Sequence, residues 1–300
     1  LNTSSYNEMT IDERPLNKYL ESIKSLGFPK TDIVVHLDAA NGSLSKWAEL
    51  ILGDYVEISN VIGNLPNGQN INENVGSTSV KAFIKSLPKG VIGLTFDGDG
   101  DRLLAVDEMG EIVSGDQIVS IIASHKPGVE NVVLTQMLNP GIKSYLNDHG
   151  LTVMETDVGD KHIIQAMDDH DITIGGEDSG HMIFKEFWPI GDGLISALVL
   201  IKVMYDNKKS LYDFKKSILK YPEKLINIKG IKKVEFLSNH ELIEKVNYLK
   251  DKSDENSKIL IRPSGTEPVL RVYVSHKNPY NLKLIISECI TLFENYGGFV

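Results

Sequence analysis

Short apolar runs alternate along the first two thirds of the chain with amphipathic segments, and turns rich in Gly and Asn separate them. Such apolar or β-branched runs are typical of buried strands, whereas apolar positions three or four residues apart indicate helices. The pattern predicts strands at 33–37, 91–96, 103–107, 132–135, 152–155 and 172–174. It predicts helices at 45–52, 78–87, 115–125, 141–149 and 160–170, and a polar loop at 60–76. Because strands alternate with helices, we expect α/β layers with mostly parallel sheets.

The pattern changes after about residue 221. Residues 238–241 have the spacing of a capping box, which is a signal for the start of a helix. The elements predicted beyond this point are a helix at 242–250, paired strands at 258–262 and 269–275, and a closing helix at 281–296. This part of the chain is therefore expected to form a smaller α+β module.

Composition sets the broad class of the protein. A chain of 300 residues with 41% hydrophobic and 24% charged residues is typical of a globular protein, and its length suggests about two domains. Cys289 is the only cysteine, so an internal disulfide and a cysteine-based zinc site are excluded. A single cysteine suits a reducing compartment, and we expect a cytoplasmic protein.

Charge and hydropathy argue against two classes of partner. The formal net charge is −10, whereas a protein that binds nucleic acid over its surface usually carries a basic excess. The longest apolar stretch, 194–204, contains a serine and a lysine and is too short to cross a bilayer. We expect neither a nucleic-acid partner nor a membrane partner, and any anionic ligand must be held by a local pocket.

The strongest chemical signal is residues 97–102, with sequence DGDGDR. In an extended loop, alternate side chains point the same way, so Asp97, Asp99 and Asp101 would converge. Three close carboxylates repel one another, and a hard divalent cation such as Mg²⁺ or Ca²⁺ removes that conflict. The sequence therefore predicts a metal-binding loop.

Three other interpretations of this loop remain open. One is a solvated acidic turn. Another is an EF-hand with Asp97, Asp99, Asp101 and Glu108 at loop positions one, three, five and twelve, although Arg102 stands where that loop needs glycine. The third is a phosphatase that uses Asp97 as nucleophile and Asp99 as acid.

A second loop, residues 174–181 with sequence IGGEDSGH, follows a predicted strand. It places Glu177, Ser179 and His181 on a glycine-hinged turn, where they could offer acceptors and donors to sugar hydroxyls or to an amine. A purely structural acidic turn is the alternative.

A third loop, residues 262–268 with sequence RPSGTEP, offers an oxyanion cradle. Arginine supplies planar bidentate donors to phosphate, and the amides of a tight Ser-Gly-Thr turn can form an anion-binding nest. A hairpin turn with its arginines in solvent is the alternative. The candidate phosphate ligands are Arg262, Ser264, Gly265, Thr266 and Arg271.

The three loops together indicate one function. One could bind a metal, one could bind a polyol, and one could bind a phosphate. This combination fits phosphoryl transfer on a phosphosugar, in which positioning and electrostatics supply most of the catalysis.

In this order the three loops resemble the metal, sugar and phosphate loops of the α-D-phosphohexomutase superfamily, and most of all those of its bacterial phosphoglucosamine mutase branch. Segments 37–42, 67–78 and 191–194 add to the resemblance. The fold it implies is α/β, with two mixed α/β sheet domains followed by a smaller α+β C-terminal domain. The expected domains are a lead-in segment at 1–13, the remnant of a further domain, then 14–118, 119–222 and 223–300.

The resemblance also implies roles for the loop residues. Asp97, Asp99 and Asp101 would bind Mg²⁺, and Arg102 would help to orient a phosphoserine. Glu177, Ser179 and His181 would contact the sugar of a hexosamine or hexose phosphate. The non-reacting phosphate would be held by Arg262, Ser264, Gly265, Thr266 and Arg271.

The implied reaction interconverts glucosamine 6-phosphate and glucosamine 1-phosphate through a phosphoserine and a bisphosphate intermediate. In the family, the phosphoserine lies in a first domain upstream of the metal loop. We expect that N-terminal domain to be missing from these residues, and the chain alone to be inactive. Ser124, in a Ser-His-Lys sequence that resembles the family's serine loop, follows the metal loop and is not expected to be the nucleophile.

Two alternatives remain open within this resemblance. Asp178 stands where the glucosamine branch more usually has glutamine, which leaves a phosphomannomutase or phosphoglucomutase of the same superfamily as an alternative. A non-catalytic phosphosugar-binding derivative is the other.

Overall fold

The computed structural model describes residues 14–264 and 267–300. Its strands are β1 Val34–Asp38, β2 Glu57–Ile62, β3 Ile92–Phe96, β4 Leu103–Val106, β5 Ile112–Val113, β6 Asn131–Thr135, β7 Thr152–Thr156, β8 Ile174–Gly176, β9 Met182–Phe184, β10 Glu223–Ile228, β11 Ser257–Pro263 and β12 Leu270–His276. Its α-helices are α1 Arg14–Ser25, α2 Ala48–Leu52, α3 Val80–Ser86, α4 Gly115–His125, α5 Pro140–Asp148, α6 Asp160–Asp169, α7 Gly193–Asn207, α8 Leu211–Lys215, α9 Lys233–Ser238, α10 His240–Lys250 and α11 Pro279–Glu294. A single 3₁₀ turn is described at Ser77–Ser79.

The described strands form three sheets. The first has the order β2-β1-β3-β4-β5, and the second has the order β7-β6-β8-β9. In both, parallel strands are followed by antiparallel pairs, β3 with β4 in the first and β8 with β9 in the second. The third sheet, β10-β12-β11, is antiparallel throughout. The expected class, two mixed α/β units and a smaller α+β unit, is confirmed.

Four of the seven strand pairs described in the two α/β sheets are parallel, as expected, and each sheet turns antiparallel immediately after a candidate site loop. Periodicity predicts individual strands and carries little information about their direction. The expected domain bounds stay a prediction, and the bound between residues 118 and 119 falls inside α4.

Hydrophobic packing divides these sheets into two main groups. One continuous core runs through the first two sheets and includes residues as distant as Ile23 and Ile218. A separate core fills the third sheet and its helices, and contains Cys289 and Phe293. We use the term C-terminal unit for residues 223–264 and 267–300.

Polar contacts join the C-terminal unit to the second sheet. The Lys258 ammonium donates to the carbonyl oxygens of Gln136 and Leu138, both at 3.0 Å, and to Glu155 Oε2 at 2.6 Å. A second group of hydrogen bonds surrounds the buried side chain of Asn139, the residue just before α5. The junction therefore depends on a few specific donors and acceptors.

Among the described residues, none of the helices combines the length and the apolarity that crossing a lipid bilayer needs.

Candidate active site

The metal loop, residues 97–102, connects β3 to β4 at the edge where the first sheet changes direction. Its carboxylates converge as the alternating sequence predicts. Asp97 is buried, Asp101 is half-buried and Asp99 is exposed, and one oxygen from each lies within 4.8 Å of the others. This is the one acidic cluster among the described residues with the geometry to hold a metal ion.

Arg102 binds Asp97, the first carboxylate of the metal loop, through both its side chain and its backbone. Its Nε donates to Asp97 Oδ2 at 2.6 Å, and its backbone N–H donates to Asp97 Oδ1 at 3.1 Å. Partial burial opposes the charge on Arg102, but the Asp97 carboxylate outweighs it and raises the pKa of the guanidinium. Both oxygens of Asp97 are therefore already engaged, and a cation would have to share them with Arg102.

Glycines let neighbouring backbone approach the metal loop directly. The Ser43 N–H donates to the Gly98 carbonyl at 2.8 Å. A Cβ on Gly42 would lie 2.1 Å from the Gly98 carbonyl oxygen, which no side chain allows. Gly100 has φ of 81°, a conformation that favours glycine. Contacts between backbones therefore hold the loop together with the side-chain bonds of Arg102 and Ser43.

The sugar loop, residues 177–181, connects β8 to β9 and lies against the metal loop. The Leu103 N–H donates to the Gly180 carbonyl at 3.0 Å, and Arg102 forms an isolated antiparallel bridge with His181. His181 Nδ1 lies 3.0 Å from Asp101 Oδ2. The structure therefore joins the two loops through both backbone and side chains.

Glu177, Asp178 and Ser179 of the sugar loop face a small cavity. The Ser179 hydroxyl donates to Glu177 Oε1 at 2.7 Å, and both side chains line a cavity of about 200 Å³. Tyr273 and Glu223, from the C-terminal unit, line the same cavity. The cavity therefore lies between the sugar loop and the C-terminal unit.

The N-terminus of α4 packs against the backbone of the sugar loop. The Gly115 N–H donates to the Asp178 carbonyl at 3.1 Å, and a Cβ at residue 115 would lie 2.1 Å from the Glu177 carbonyl oxygen. The next residue, Asp116, is fully buried in the first turn of the helix. Burial first, and then the nearby carboxylate of Asp178, raise its pKa well above the usual range.

The described residues of the phosphate loop present two guanidinium groups on adjacent strands. Arg262 of β11 stands directly opposite Arg271 of β12 in the antiparallel ladder. Like charges placed opposite each other destabilise a sheet unless a counter-charge intervenes. Glu267 Oε2 supplies part of that charge, at 2.8 Å from Arg271 Nη2. Gly265 and Thr266 lie outside the described residues.

The phosphate loop and the cavity share one side of the third sheet. Arg271 and Tyr273 are two residues apart on β12, so their side chains lie on the same face. Tyr273 lines the cavity together with Glu177. Ser264 is buried, and its hydroxyl accepts from the Glu267 N–H at 3.2 Å, which fixes the start of the loop.

A charged network that lines part of the cavity was not predicted from the sequence. Glu223 accepts from Asn139 Nδ2 and from the Tyr273 hydroxyl, both at 2.7 Å, and Lys220 Nζ lies 2.9 Å from it. Burial opposes ionisation of Glu223, but Lys220 and these hydrogen bonds outweigh it and lower its pKa. Lys220 also lies 3.5 Å from Asp178 of the sugar loop. No local pattern marks these residues, because their contacts join distant segments.

The metal loop satisfies a simple test of fit for a hard cation. Asp101 Oδ1 is buried and lies 3.5 Å from Arg102 Nε, but it accepts no hydrogen bond from any described residue. An acceptor left without a donor is costly, and a bound cation would satisfy it. The ligand set of carboxylate oxygens suits Mg²⁺ or Ca²⁺ better than softer metals.

Ser124 lies near the C-terminal end of α4, away from the loops. Its hydroxyl donates to the Ser120 carbonyl at 2.5 Å and contacts the Tyr145 hydroxyl at 3.0 Å. The neighbouring His125 Nδ1 lies 2.9 Å from the Ile121 carbonyl. Since a helix rises about 1.5 Å per residue, Ser124 is more than about 10 Å from the sugar loop beside Gly115.

Two models of one protein family match the chain. Residues 114–221 match the phosphoglucomutase/phosphomannomutase α/β/α domain III, and residues 215–288 match the C-terminal domain of the same family. Together they span more than half of the 300 residues.

Curated relatives extend the similarity to most of the chain. A phosphoglucosamine mutase of Anoxybacillus flavithermus is 40% identical over 265 residues, which cover 85% of this chain and 59% of the relative. The phosphoglucosamine mutase of Bacillus subtilis is 38% identical over 269 residues, 87% of this chain and 60% of the relative. The chain thus spans about three fifths of the length of these relatives.

Solved structures share the fold at low sequence identity. The Aspergillus fumigatus N-acetylphosphoglucosamine mutase, in complex with GlcNAc-6P and magnesium, aligns with a TM-score of 0.78 and 17% identity, covering 98% of this chain and 68% of that one. A phosphoglucomutase/phosphomannomutase family protein from Burkholderia thailandensis aligns with a TM-score of 0.76 and 19% identity, covering 93% and 64%.

Proposed function

The chain belongs to the phosphoglucomutase/phosphomannomutase family of the α-D-phosphohexomutase superfamily, and on that premise we propose that it is the C-terminal part of a phosphoglucosamine mutase. The whole enzyme would interconvert glucosamine 6-phosphate and glucosamine 1-phosphate through a phosphoserine and a bisphosphate intermediate. The phosphoserine would come from a domain outside these residues, so the chain alone should bind substrate without turning it over.

One observation carries this proposal, which is the junction of the metal loop with the sugar loop. The Asp101–His181 hydrogen bond and the backbone bridge from Arg102 to His181 leave little freedom between the two loops. A sugar on Glu177 and Ser179 would therefore lie close to the metal-binding carboxylates. Such fixed proximity is the main source of catalysis in phosphoryl transfer.

We assign Asp97, Asp99 and Asp101 as the ligands of Mg²⁺. When bound, the cation would neutralise the charge that develops on phosphoryl oxygens. Arg102 would share Asp97 with that cation through its Nε. Its other guanidinium N–H groups would orient the phosphoserine.

We assign the substrate to the cleft between the sugar loop and the C-terminal unit. Glu177 and Ser179 would supply acceptors and donors for hydroxyl groups and for an amine. His181, which the resemblance places in the same role, is buried beside Asp101 and does not line this cavity, so it would act by holding the sugar loop against the metal loop. Arg262 and Arg271, with Ser264 and the predicted ligands Gly265 and Thr266, would hold the non-reacting phosphate. The facing arginines favour an anion, because its charge would relieve the repulsion between them.

A phosphosugar-binding experiment tests the site. Glucosamine 6-phosphate should bind the chain in the presence of Mg²⁺, as measured by isothermal titration calorimetry. Arg271→Met should weaken binding by about tenfold or more, since charge-assisted hydrogen bonds to phosphate are strong. Lys245→Met is the matched control, because Lys245 pairs with Glu241 on the exposed face of α10. Absence of binding, or equal loss in both variants, would contradict the proposal.

A turnover experiment tests the need for a further domain. The chain, supplied with glucosamine 6-phosphate, Mg²⁺ and a hexose bisphosphate, should form no glucosamine 1-phosphate. Robust turnover that Ser124→Ala abolishes would show instead that this chain carries its own nucleophile.

A phosphomannomutase or phosphoglucomutase of the same superfamily is the second candidate. The observation behind it is Asp178, which stands where the glucosamine branch more usually has glutamine and lies 3.5 Å from Lys220 Nζ. Titration with mannose 6-phosphate and glucose 6-phosphate under the same conditions separates the candidates. Tighter binding of either neutral hexose than of the amino sugar would replace the first proposal with the second.

A further inference from the structure

The segment of Gly191, Asp192 and Gly193 lies immediately before and at the start of α7, between the sugar loop and the metal loop. We call it the GDG clasp. We propose that Asp192 is a positioning residue that fixes the two loops relative to each other through the contacts of the glycines on either side of it. The inference rests on the proposed function, since it concerns the geometry of the same site.

Gly191 is the contact of the clasp with the sugar loop. It forms an isolated antiparallel bridge with Ile183, just beyond that loop. A Cβ at residue 191 would lie 2.4 Å from His181 Cε1 and 2.5 Å from His181 Nε2. The backbone at Gly191 therefore packs directly against the His181 ring, whose Nδ1 contacts Asp101.

Gly193 is the contact of the clasp with the metal loop. Its N–H donates to the Gly100 carbonyl at 2.9 Å. A Cβ at residue 193 would lie 2.8 Å from the Arg102 carbonyl oxygen and 2.9 Å from the Gly100 carbonyl oxygen. A shift of the clasp would therefore move both loops or break contacts with one of them.

Asp192 anchors the clasp to three separate groups. Its Oδ1 caps α7 by accepting from the Ile195 N–H at 3.0 Å. Its Oδ2 accepts from the Tyr19 hydroxyl at 2.8 Å and from Trp188 Nε1 at 3.1 Å. Tyr19 belongs to α1, so the anchor connects the loops with a helix far away in sequence.

Asp192→Asn is the most selective variant, because it keeps the size of the side chain. Its amide has one oxygen acceptor, which can serve either the cap of α7 or the side of Tyr19 and Trp188, but not both. If the oxygen caps α7, the NH2 group can still donate to the Tyr19 hydroxyl, but Trp188 Nε1 loses its acceptor; in the other orientation the cap is lost. Tyr19→Phe removes a single donor and should have a smaller effect.

Amide hydrogen exchange, followed by mass spectrometry without any ligand, measures the expected loosening. In Asp192→Asn, peptides that cover 97–103 and 177–183 should exchange about tenfold faster or more, since a factor of ten corresponds to about 1.4 kcal/mol, within the value of one hydrogen bond to a charged group. Peptides of the C-terminal unit should not change. Tyr205→Phe is the control, on an exposed tyrosine of the same helix.

The pattern of exchange decides the inference. Faster exchange in both loops, with Tyr19→Phe intermediate and Tyr205→Phe unchanged, supports it. Faster exchange confined to the start of α7, or spread evenly over the chain, overturns it, because Asp192 would then be an ordinary helix cap or a general stabilising residue.

Ligand titrations on the same proteins keep this inference separate from the proposed function. Mn²⁺ probes the metal loop, and glucosamine 6-phosphate probes the sugar loop. If the unsubstituted chain binds neither, the proposed function is wrong, whereas the exchange pattern still decides the role of Asp192. If it binds both, Asp192→Asn should weaken both ligands, and unchanged affinity for both would count against positioning.

Discussion

The three carboxylates of the metal loop are not equivalent ligands. Arg102 occupies both oxygens of Asp97, and Asp99 is exposed to solvent. Asp101 has one oxygen next to His181 and one buried oxygen that pairs with Arg102 Nε at 3.5 Å but accepts no hydrogen bond from the described residues. At the scale of single residues, Asp101 is therefore the ligand that gains most from a bound cation.

A buried histidine makes the stability of the fold depend on pH. His36 lies in β1 with its ring 5.6 Å from that of Phe83, and neither ring nitrogen has a partner among the described residues. Burial lowers the pKa of His36 below its ordinary value of 6.5. As the pH falls through about 6.5, the unfolded chain gains a proton that the folded chain resists, so stability decreases.

We therefore expect His36→Leu to lose less stability than the unsubstituted chain between pH 7 and pH 5.5. Leucine has a similar volume and does not titrate. The free energy of unfolding, measured with urea at each pH, checks this. His170→Leu, at an exposed histidine that ends α6, should retain the original pH dependence. Parallel pH profiles for the unsubstituted chain and His36→Leu would exclude His36 as the cause.

At the scale of elements, two helix caps of the same type should contribute very differently to stability. Asn139 caps α5 through its Oδ1, and the same side chain also bonds both backbone groups of Tyr221 and the carboxylate of Glu223. Asn278 caps α11, and its side chain makes only that one bond within the described residues.

We expect Asn278→Ala to lower the free energy of unfolding by about 1 kcal/mol, the usual value of an N-cap. Asn139→Ala should lower it by roughly 3 kcal/mol or more, because buried partners lose their donors and acceptors as well. Urea denaturation of both variants measures the difference. Equal losses would show that the contacts across the junction contribute nothing beyond the cap.

The elements predicted well from the sequence are those with a strong local signal. Helix α4 has the predicted bounds, and β3 and β4 differ from prediction by one residue at one end. The sequence does not predict strand β2 and places part of it in a polar loop, because it is an edge strand with three exposed side chains, no fully buried ones and no apolar alternation. Helix α10 is capped by Asn239 and not through the predicted box that begins at Ser238, since the preceding helix α9 extends to Ser238.

The candidate site also contains residues with a strong local sequence signal and residues without one. The metal loop was predictable because its carboxylates alternate within one short loop, where local geometry sets their direction. The network of Asn139, Lys220 and Glu223 was not, because its members are ordinary polar residues until the chain brings distant segments together. The anchor from Tyr19 to Asp192 spans the longest separation, 173 residues, and no sequence signal marks it.

At the scale of the whole molecule, the two cores predict two units that can unfold separately when their junction is weakened. Trp47 and Trp188, the only tryptophans, pack against the core of the first two sheets. Cys289, the only cysteine, lies in the core of the C-terminal unit, and burial raises the pKa of its thiol to about 11. Tryptophan fluorescence and thiol labelling therefore report on different units without any added probe.

We expect Lys258→Met to separate these two signals. Its ammonium is the donor to Gln136, Leu138 and Glu155 across the junction, and methionine replaces none of those bonds. With increasing urea, Cys289 should become reactive before the fluorescence of the tryptophans changes. Lys245→Met, on the exposed surface of α10, should leave both transitions together. Coincident transitions in Lys258→Met would mean that the junction does not depend on this lysine.

The contact of Gly42 with Gly98, and of Gly193 with Gly100, has a consequence for how this protein tolerates mutation. At these two contacts backbone rests directly on backbone, so no side chain lies between the paired segments. Apolar substitutions elsewhere in the core, away from Leu44 beside Gly100 and Phe96 beside Gly193, are not transmitted through these contacts to the ligands. The mutational risk is concentrated instead in a few glycines, where adding a single methyl group is enough to displace the loop.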